Sequence, residues 1–142
     1  SNLYESMLRT PGERRPISKE VIENAIINGV LTGEFGIGEL ENDGFSIEVI
    51  DLRSLIPLDK DAILNSLAKT NRALVVHEDK VYGGFGGEIV GLIMSEAFSL
   101  LDAPVNRVGS TFTPVGFHRN LEKATLPNKD KIKAEMLKSL RY

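Results

Sequence analysis

The sequence has no cysteine and no tryptophan, and its only histidines are His77 and His118. Without cysteine there are no disulfides, no thiolate metal ligands and no cysteine nucleophile, a usage compatible with a reducing cytoplasm. With so little histidine there is no HExxH spacing, and a metal site is not expected. No apolar run approaches the ~20 residues of a membrane-spanning helix. Neither sign of charge dominates. The 17 Lys and Arg against 20 Asp and Glu leave a formal charge of −3, so no basic surface invites nucleic acid. What is present is an ordinary globular balance, 42% hydrophobic and 26% charged over 142 residues, enough for one core. The chain opens Ser1-Asn2-Leu3, without an initiator Met or a secretory apolar core, and is expected to be a domain of a longer polypeptide.

The most informative stretch is Ala73-Leu74-Val75-Val76-His77-Glu78, followed by Gly83-Gly84-Phe85-Gly86-Gly87-Glu88. An apolar run that stops in a glycine turn and launches Ile89-Val90-Gly91-Leu92-Ile93-Met94 is half of a parallel α/β unit. The turn lies at the carboxyl end of a strand, where open α/β sheets place their contacts.

Upstream, Leu3 to Arg15 reads as a short amphipathic piece ending near the turn Thr10-Pro11-Gly12. Ser18 suits an N-cap, and Val21, Ile22, Ala25 and Ile26 fall on one helical face with Gly29 as a stop, which predicts a helix. Val30 to Leu40, interrupted by Gly33, Gly36 and Gly38, reads equally as a strand entering a turn or as a loop. Residues 1–44 are therefore assigned to a linker with a first helical or strand segment, and 45–142 to the main domain. Ser46 to Leu52 is a strand bounded by Gly44 and Pro57. Asp59 caps a helix that buries Ile63, Leu64 and Leu67 and ends at Thr70-Asn71. Ala73 to His77 is the next strand, apolar throughout as expected of one covered on both faces. A helix from about Gly87 to Leu101 is broken by Asp102-Ala103-Pro104, and a short strand occupies Pro104 to Val108. Gly109 to Pro127 reads as irregular, and Asn128 caps a last helix, Lys129 to Leu140.

Each chemical candidate has a plainer counterpart. Successive backbone N–H groups at Gly84 to Gly87 could bind an anion. The spacing fits neither the dinucleotide fingerprint nor the P-loop, and Glu88 already complements the helix N-terminus. The plainer reading is a turn whose missing side chains allow close backbone packing. His77 at a strand end could be a general base tuned by a carboxylate. Neighbouring strand residues point to opposite faces, however, so His77 and Glu78 do not meet. The plainer reading makes both hydrogen-bonding groups at a domain or subunit boundary. Asp51 and Arg53 read as a pair or as solvent-facing residues. No serine sits in a nucleophile-elbow context. On residue chemistry alone there is no self-sufficient active site.

Several motifs in order give the chain a family resemblance. Ile47-Glu48-Val49-Ile50-Asp51-Leu52-Arg53-Ser54-Leu55-Ile56-Pro57-Leu58-Asp59 resembles the entry to the C-terminal domain of transketolase-like thiamine enzymes. Val76-His77-Glu78 and Gly83-Gly84-Phe85-Gly86-Gly87-Glu88-Ile89 continue it. Asp102-Ala103-Pro104-Val105-Asn106-Arg107-Val108, Thr113-Pro114 and Leu126-Pro127-Asn128 are similar to the beta subunit, or beta-like half, of 2-oxoacid dehydrogenase first components. These decarboxylate pyruvate or branched-chain 2-oxoacids and pass the acyl group to lipoyl-lysine.

The resemblance implies a three-layer α/β/α domain with a five-stranded, mostly parallel mixed sheet. It implies thiamine diphosphate and Mg held by other domains, with no catalytic, cofactor-binding or metal residue in this chain. It implies assembly with an alpha-type subunit or domain, a second beta-type copy and the dihydrolipoyl acyltransferase, in the cytoplasm or, in a eukaryote, the mitochondrial matrix. The interface candidates are then His77, Glu78, Gly83, Gly84, Phe85, Gly86, Glu88 and, at the C-terminus, Tyr142. The family's first strand, Tyr-Gly turn and helix are longer than the span before Asp43 allows, so a shortened unit or a missing segment is expected between residues 30 and 45. The alternatives are a free-standing small-anion or nucleotide-binding α/β module, and the C-terminal domain of another transketolase-like enzyme.

Overall fold

The computed structural model describes residues 22–28, 40 and 42–142. The readings of Leu3 to Arg15, of Ser18 and of most of Val30 to Leu40 lie outside the described residues. β1 spans Ile22–Asn28 and β2 Ser46–Asp51. Helix α1 (Lys60–Thr70) leads to β3 (Ala73–Lys80). Helix α2 (Gly86–Ala97) continues into a 3-10 turn, Phe98–Leu100, and then to β4 (Asn106–Ser110). Helices α3 (Arg119–Thr125) and α4 (Lys129–Leu140) close the chain.

Among the described residues the strands form one sheet in the order β2-β1-β3-β4, and each pairing is parallel. The expected α/β architecture is present in this form: helices on a small parallel sheet, with four described strands rather than five of mixed direction. The helix expected around Val21 to Ile26 is instead β1, at the centre of the sheet, with Ala25 opposite both Val49 and Leu74. Apolar residues at 22, 25 and 26 mimic a helical face. The segment Ile22-Glu23-Asn24-Ala25-Ile26-Ile27-Asn28 lacks the alternation of period two that would correct that impression.

β3 shows how the layers are built. Alternate side chains leave opposite faces of the strand. Ala73 and Val75 join Ile63 and Leu67 of α1 and Ile89 and Ile93 of α2 on one side. Leu74 and Val76 join Val108, Ile132 and Met136 on the other, under α4. Each fully buried Leu or Ile contributes about 2 kcal/mol by leaving water. His77 follows on the face of Ala73 and Val75, which aims it at the start of α2.

Helix ends follow the sequence closely. The Asp59 carboxylate accepts from Ala62 N at 3.0 Å, and Asn128 Oδ1 accepts from Lys131 N at 3.0 Å. Asn71 ends α1 in the left-handed region, φ 60°. Asp59→Ala should lower stability by about 1 kcal/mol, seen as a lower urea midpoint at unchanged slope. The strand expected from Pro104 begins two residues later, because proline has no N–H for the ladder. The stretch expected to be irregular contains α3, which starts at His118, whose Nδ1 accepts from Asn120 N at 3.2 Å.

Candidate functional site

The glycine turn and the strand-end histidine are one structural unit. Gly83 takes φ +77°, a left-handed turn that suits a residue without Cβ. The chain then folds back on the strand it has left. A Cβ on Gly84 would lie 2.1 Å from the Lys80 carbonyl and 2.9 Å from His77 Cε1. One on Gly86 would lie 2.3 Å from His77 Nε2 and 2.5 Å from Cδ2. From the neighbouring strand, a Cβ on Gly109 would lie 2.7 Å from the Asp79 carbonyl and 3.1 Å from His77 Cε1. Three glycines thus enclose one imidazole, which is 2% exposed.

That enclosure governs the chemistry. Neither His77 nitrogen has a hydrogen-bond partner among the described residues. Burial holds the imidazole below its ordinary pKa of 6.5; the Asp79 carboxylate opposes this and the Arg107 guanidinium adds to it. The neutral ring is the form a base needs, but at 2% exposure its nitrogens are closed off from any substrate in solution. Among the described residues the ring is interior, makes no hydrogen bond and serves as the surface on which the turn packs.

The turn does not offer an anion site either. Gly87 N donates to Gly84 O at 3.1 Å, and Glu88 N and Ile89 N donate to Phe85 O at 2.9 and 3.3 Å. Of the N–H groups from Gly84 to Gly87, that of Gly87 is used within the turn, and the turn's inner side is filled by the imidazole, which leaves no cradle there for a phosphate. A thiamine diphosphate does not fit these residues, and among the described residues no cluster of three His, Asp or Glu is placed to hold a metal ion.

The sequence-derived candidates separate by burial and position. His77, Gly84 and Gly86 are buried, Phe85 is half-buried, and Glu78, Gly83 and Glu88 are exposed at the carboxyl end of the sheet. Tyr142 is exposed after α4. It lies near the amino end of β3, where Ser139 O accepts from Arg72 Nε at 3.0 Å, so the structure does not bring it to the glycine turn. Asp51 and Arg53 pair at 3.0 Å on the surface. Residues from β4 were missed. Arg107 donates to Val81 O at 2.9 Å, and Ser110 Oγ donates to Glu78 O, together tying the turn to the edge strand. Gly109 was the available signal, since a glycine inside a strand marks close approach. Beside these contacts a cleft of about 290 Å³ opens between Glu78, Asp79, Lys80, Ser110, Glu122 and Leu126.

A depressed histidine pKa makes stability depend on pH. The unfolded ring titrates near 6.5 and the folded ring lower. Between those values the unfolded chain binds more protons, so stability falls as pH falls. The contribution is complete above 6.5 and gone once the pH lies below the folded value. Urea midpoints from about pH 8 down to about pH 5 should decline for the wild type, and more gently for His77→Gln, which does not titrate.

The comparisons with known proteins agree with this architecture. The family description "Transketolase, C-terminal domain" matches residues 37–132. The pyruvate dehydrogenase E1 component subunit beta of Rickettsia felis is 43% identical over 103 residues, 72% of this chain and 31% of that protein. The acetoin:2,6-dichlorophenolindophenol oxidoreductase subunit beta of Bacillus subtilis is 42% identical over 116 residues, 82% of this chain and 34% of that protein. This chain therefore spans about a third of the length of these relatives. A solved structure titled "Split gene transketolase, inactive beta4 tetramer" superposes with a TM-score of 0.68 at 20% identity, over 94% of this chain and 46% of that one, a likeness of fold. With a match across most of its length, on a parallel α/β sheet whose glycine turn closes over its own histidine, the chain belongs to the transketolase C-terminal domain family.

Proposed function

We propose that this chain is the C-terminal assembly domain of a thiamine diphosphate-dependent 2-oxoacid dehydrogenase, acting on pyruvate or branched-chain 2-oxoacids with acyl transfer to lipoyl-lysine. It is not catalytic alone. The observation that carries this reading is the enclosed His77: the residues that look most like a site are occupied in holding one another. Similarity to beta subunits supports the rest. Thiamine diphosphate and Mg are bound by other domains of the full enzyme, which is an oxidoreductase of the aldehyde or oxo group with a disulfide acceptor.

The proposed partners are an alpha-type subunit or domain, a second beta-type copy and the dihydrolipoyl acyltransferase, in the bacterial cytoplasm or the mitochondrial matrix. At such contacts Glu78, Gly83, Phe85 and Glu88 meet the partner. His77, Gly84 and Gly86 act from beneath by fixing the shape of that surface. Tyr142 belongs to a separate contact near the docking surface for the acyltransferase. In this reading 45–142 fold as one unit together with β1, and the complete sheet gains a fifth strand of opposite direction.

Isothermal titration calorimetry with thiamine diphosphate and Mg tests the division of labour. The expected result is no binding tighter than about 1 mM. Micromolar binding would overturn it.

A further inference from the structure

The imidazole that fills the glycine turn is also an ionisable group, and the turn above it is built to move. Val81, just before the turn, is fixed to β4: its N donates to Ser110 O at 3.0 Å and its O accepts from Arg107 at 2.9 Å. Just after the turn, Ile89 is buried in the core that α1 and α2 share. Between these anchors Gly83-Gly84-Phe85-Gly86-Gly87 has a single side chain larger than hydrogen. Nothing lies within 4 Å of a Cβ at Gly83, so packing does not hold its left-handed bend. The hydrogen bonds from Gly87 N, Glu88 N and Ile89 N stay within the segment. Among the described residues, contact holds the turn down: Gly84 and Gly86 lie on the ring, and half-buried Phe85 packs against the core.

A proton on His77 would put a full charge and a second N–H donor into this space. Neither nitrogen has an acceptor there among the described residues, and an unpaired buried charge is costly. Few charged groups surround the ring. β3 itself brings Asp79, whose carboxylate favours the charged form, and β4 brings Arg107, whose like charge opposes it. α2 brings Glu88, which is exposed, and β1 pairs the uncharged Asn28 with His77. Asp79 is therefore the counter-charge for a protonated ring, and the turn occupies the space beside both. A Cβ on Gly84 would lie 2.9 Å from His77 Cε1 and 3.3 Å from Asp79 Oδ2. Lifting the turn opens that space to water and to the carboxylate.

We propose that the glycine turn is a proton-operated flap: when His77 takes a proton, residues 83–87 lift from the ring and the imidazolium turns to Asp79 and water. The open form binds the proton more tightly than the closed form, so acid drives opening by linkage. Burial of Phe85 favours the closed form and makes it the resting state at neutral pH. The flap carries Gly83 and Phe85 and adjoins Glu88, so a partner reading that surface meets a different shape in acid. Only that consequence rests on the assembly reading above; the flap belongs to the single chain.

Hydrogen exchange on the 142-residue chain at about pH 7.5 and about pH 5, corrected for the intrinsic rate, decides it. A proton bound only in the open form shifts the opening equilibrium by up to ~10-fold per pH unit below the free imidazole value of about 6.5. Protection at Gly87, Glu88 and Ile89 should therefore fall at least ~10-fold, while α4 amides remain better protected than the turn. His77→Gln should abolish the fall, and Asp79→Asn, at an exposed position, should shrink it. Unchanged protection of the turn at pH 5 overturns the proposal. So does a fall that persists in His77→Gln or is undiminished in Asp79→Asn. Turn and α4 amides exchanging at one common rate in acid would show global unfolding and overturn it too. None of these outcomes involves thiamine diphosphate or a partner, so the assembly reading stands or falls separately.

Discussion

Gly86→Ala should destabilise the chain by about 3 kcal/mol, even though alanine is the better helix former. The two effects oppose each other at the same residue. At the first turn of α2 the substitution gains up to ~1 kcal/mol of helix propensity. Its methyl group would stand 2.3 Å from His77 Nε2 and 2.5 Å from Cδ2, well inside contact distance, and forcing volume into a packed interior costs ~1–3 kcal/mol or more. The imidazole has no open side to move to, since Gly84 and Gly109 close it from other directions. Gly91, in the same helix, is the control: nothing lies within 4 Å of its missing Cβ, so Gly91→Ala should stabilise by roughly 0.5–1 kcal/mol.

The cause can be isolated. His77→Ala removes the ring and leaves a cavity, a loss of about 2 kcal/mol by the usual large-to-small rule. In the double variant the new methyl occupies part of that space. The double variant should then be more stable than the sum of the singles predicts, a coupling of at least ~1 kcal/mol in urea-unfolding cycles. Gly84→Ala should gain no such relief, because its worst neighbour is the Lys80 carbonyl at 2.1 Å, which His77→Ala does not move. Additive Gly86 and His77 effects would mean that the turn does not rest on the ring.

These contrasts mark what the sequence made legible. Strand β3, its turn, α2 and the caps at Asp59 and Asn128 follow from local chemistry, because apolar runs, glycines and short polar side chains each act within a few residues. Close packing by the glycines was also readable as an alternative. Its object was not, because the contact joins Gly86 to a residue nine positions back and to Gly109 on another strand, and only the fold brings them together. β1 was misread for a different reason: Ile22, Ala25 and Ile26 fall at helical spacing, and the segment has no alternation to mark a strand. Helix α3 was missed because it has no buried stripe, and burial is what makes a helix visible as a pattern.

The amino end of the sheet yields the other large effect. Arg72 and Asp102 face each other at 4.0 Å with side chains 4% exposed. The guanidinium also donates from Nε to Ser139 O at 3.0 Å, which ties β3 to the last turn of α4. Asn71 completes the junction, donating from Nδ2 to Leu100 O at 2.7 Å and accepting from Asp102 N at 2.8 Å. Arg72→Met keeps the apolar stem of the side chain and removes its charge and donors. Asp102 then loses this cation, and the Ser139 carbonyl loses this donor. Breaking one half of a buried pair costs ~3–5 kcal/mol, so Arg72→Met should lose about 3 kcal/mol, several times what an exposed pair such as Lys60–Glu96 would show. If the charge left behind is the cause, Asp102→Leu in the Arg72→Met background should recover part of the loss, because two apolar residues of similar volume often replace a buried ion pair at little cost. Hydrogen exchange should show where the damage falls. Amides of α4 near Ser139 and of the segment around Asp102 should lose protection more than those in the first turns of α2, because Arg72 contacts the first two directly.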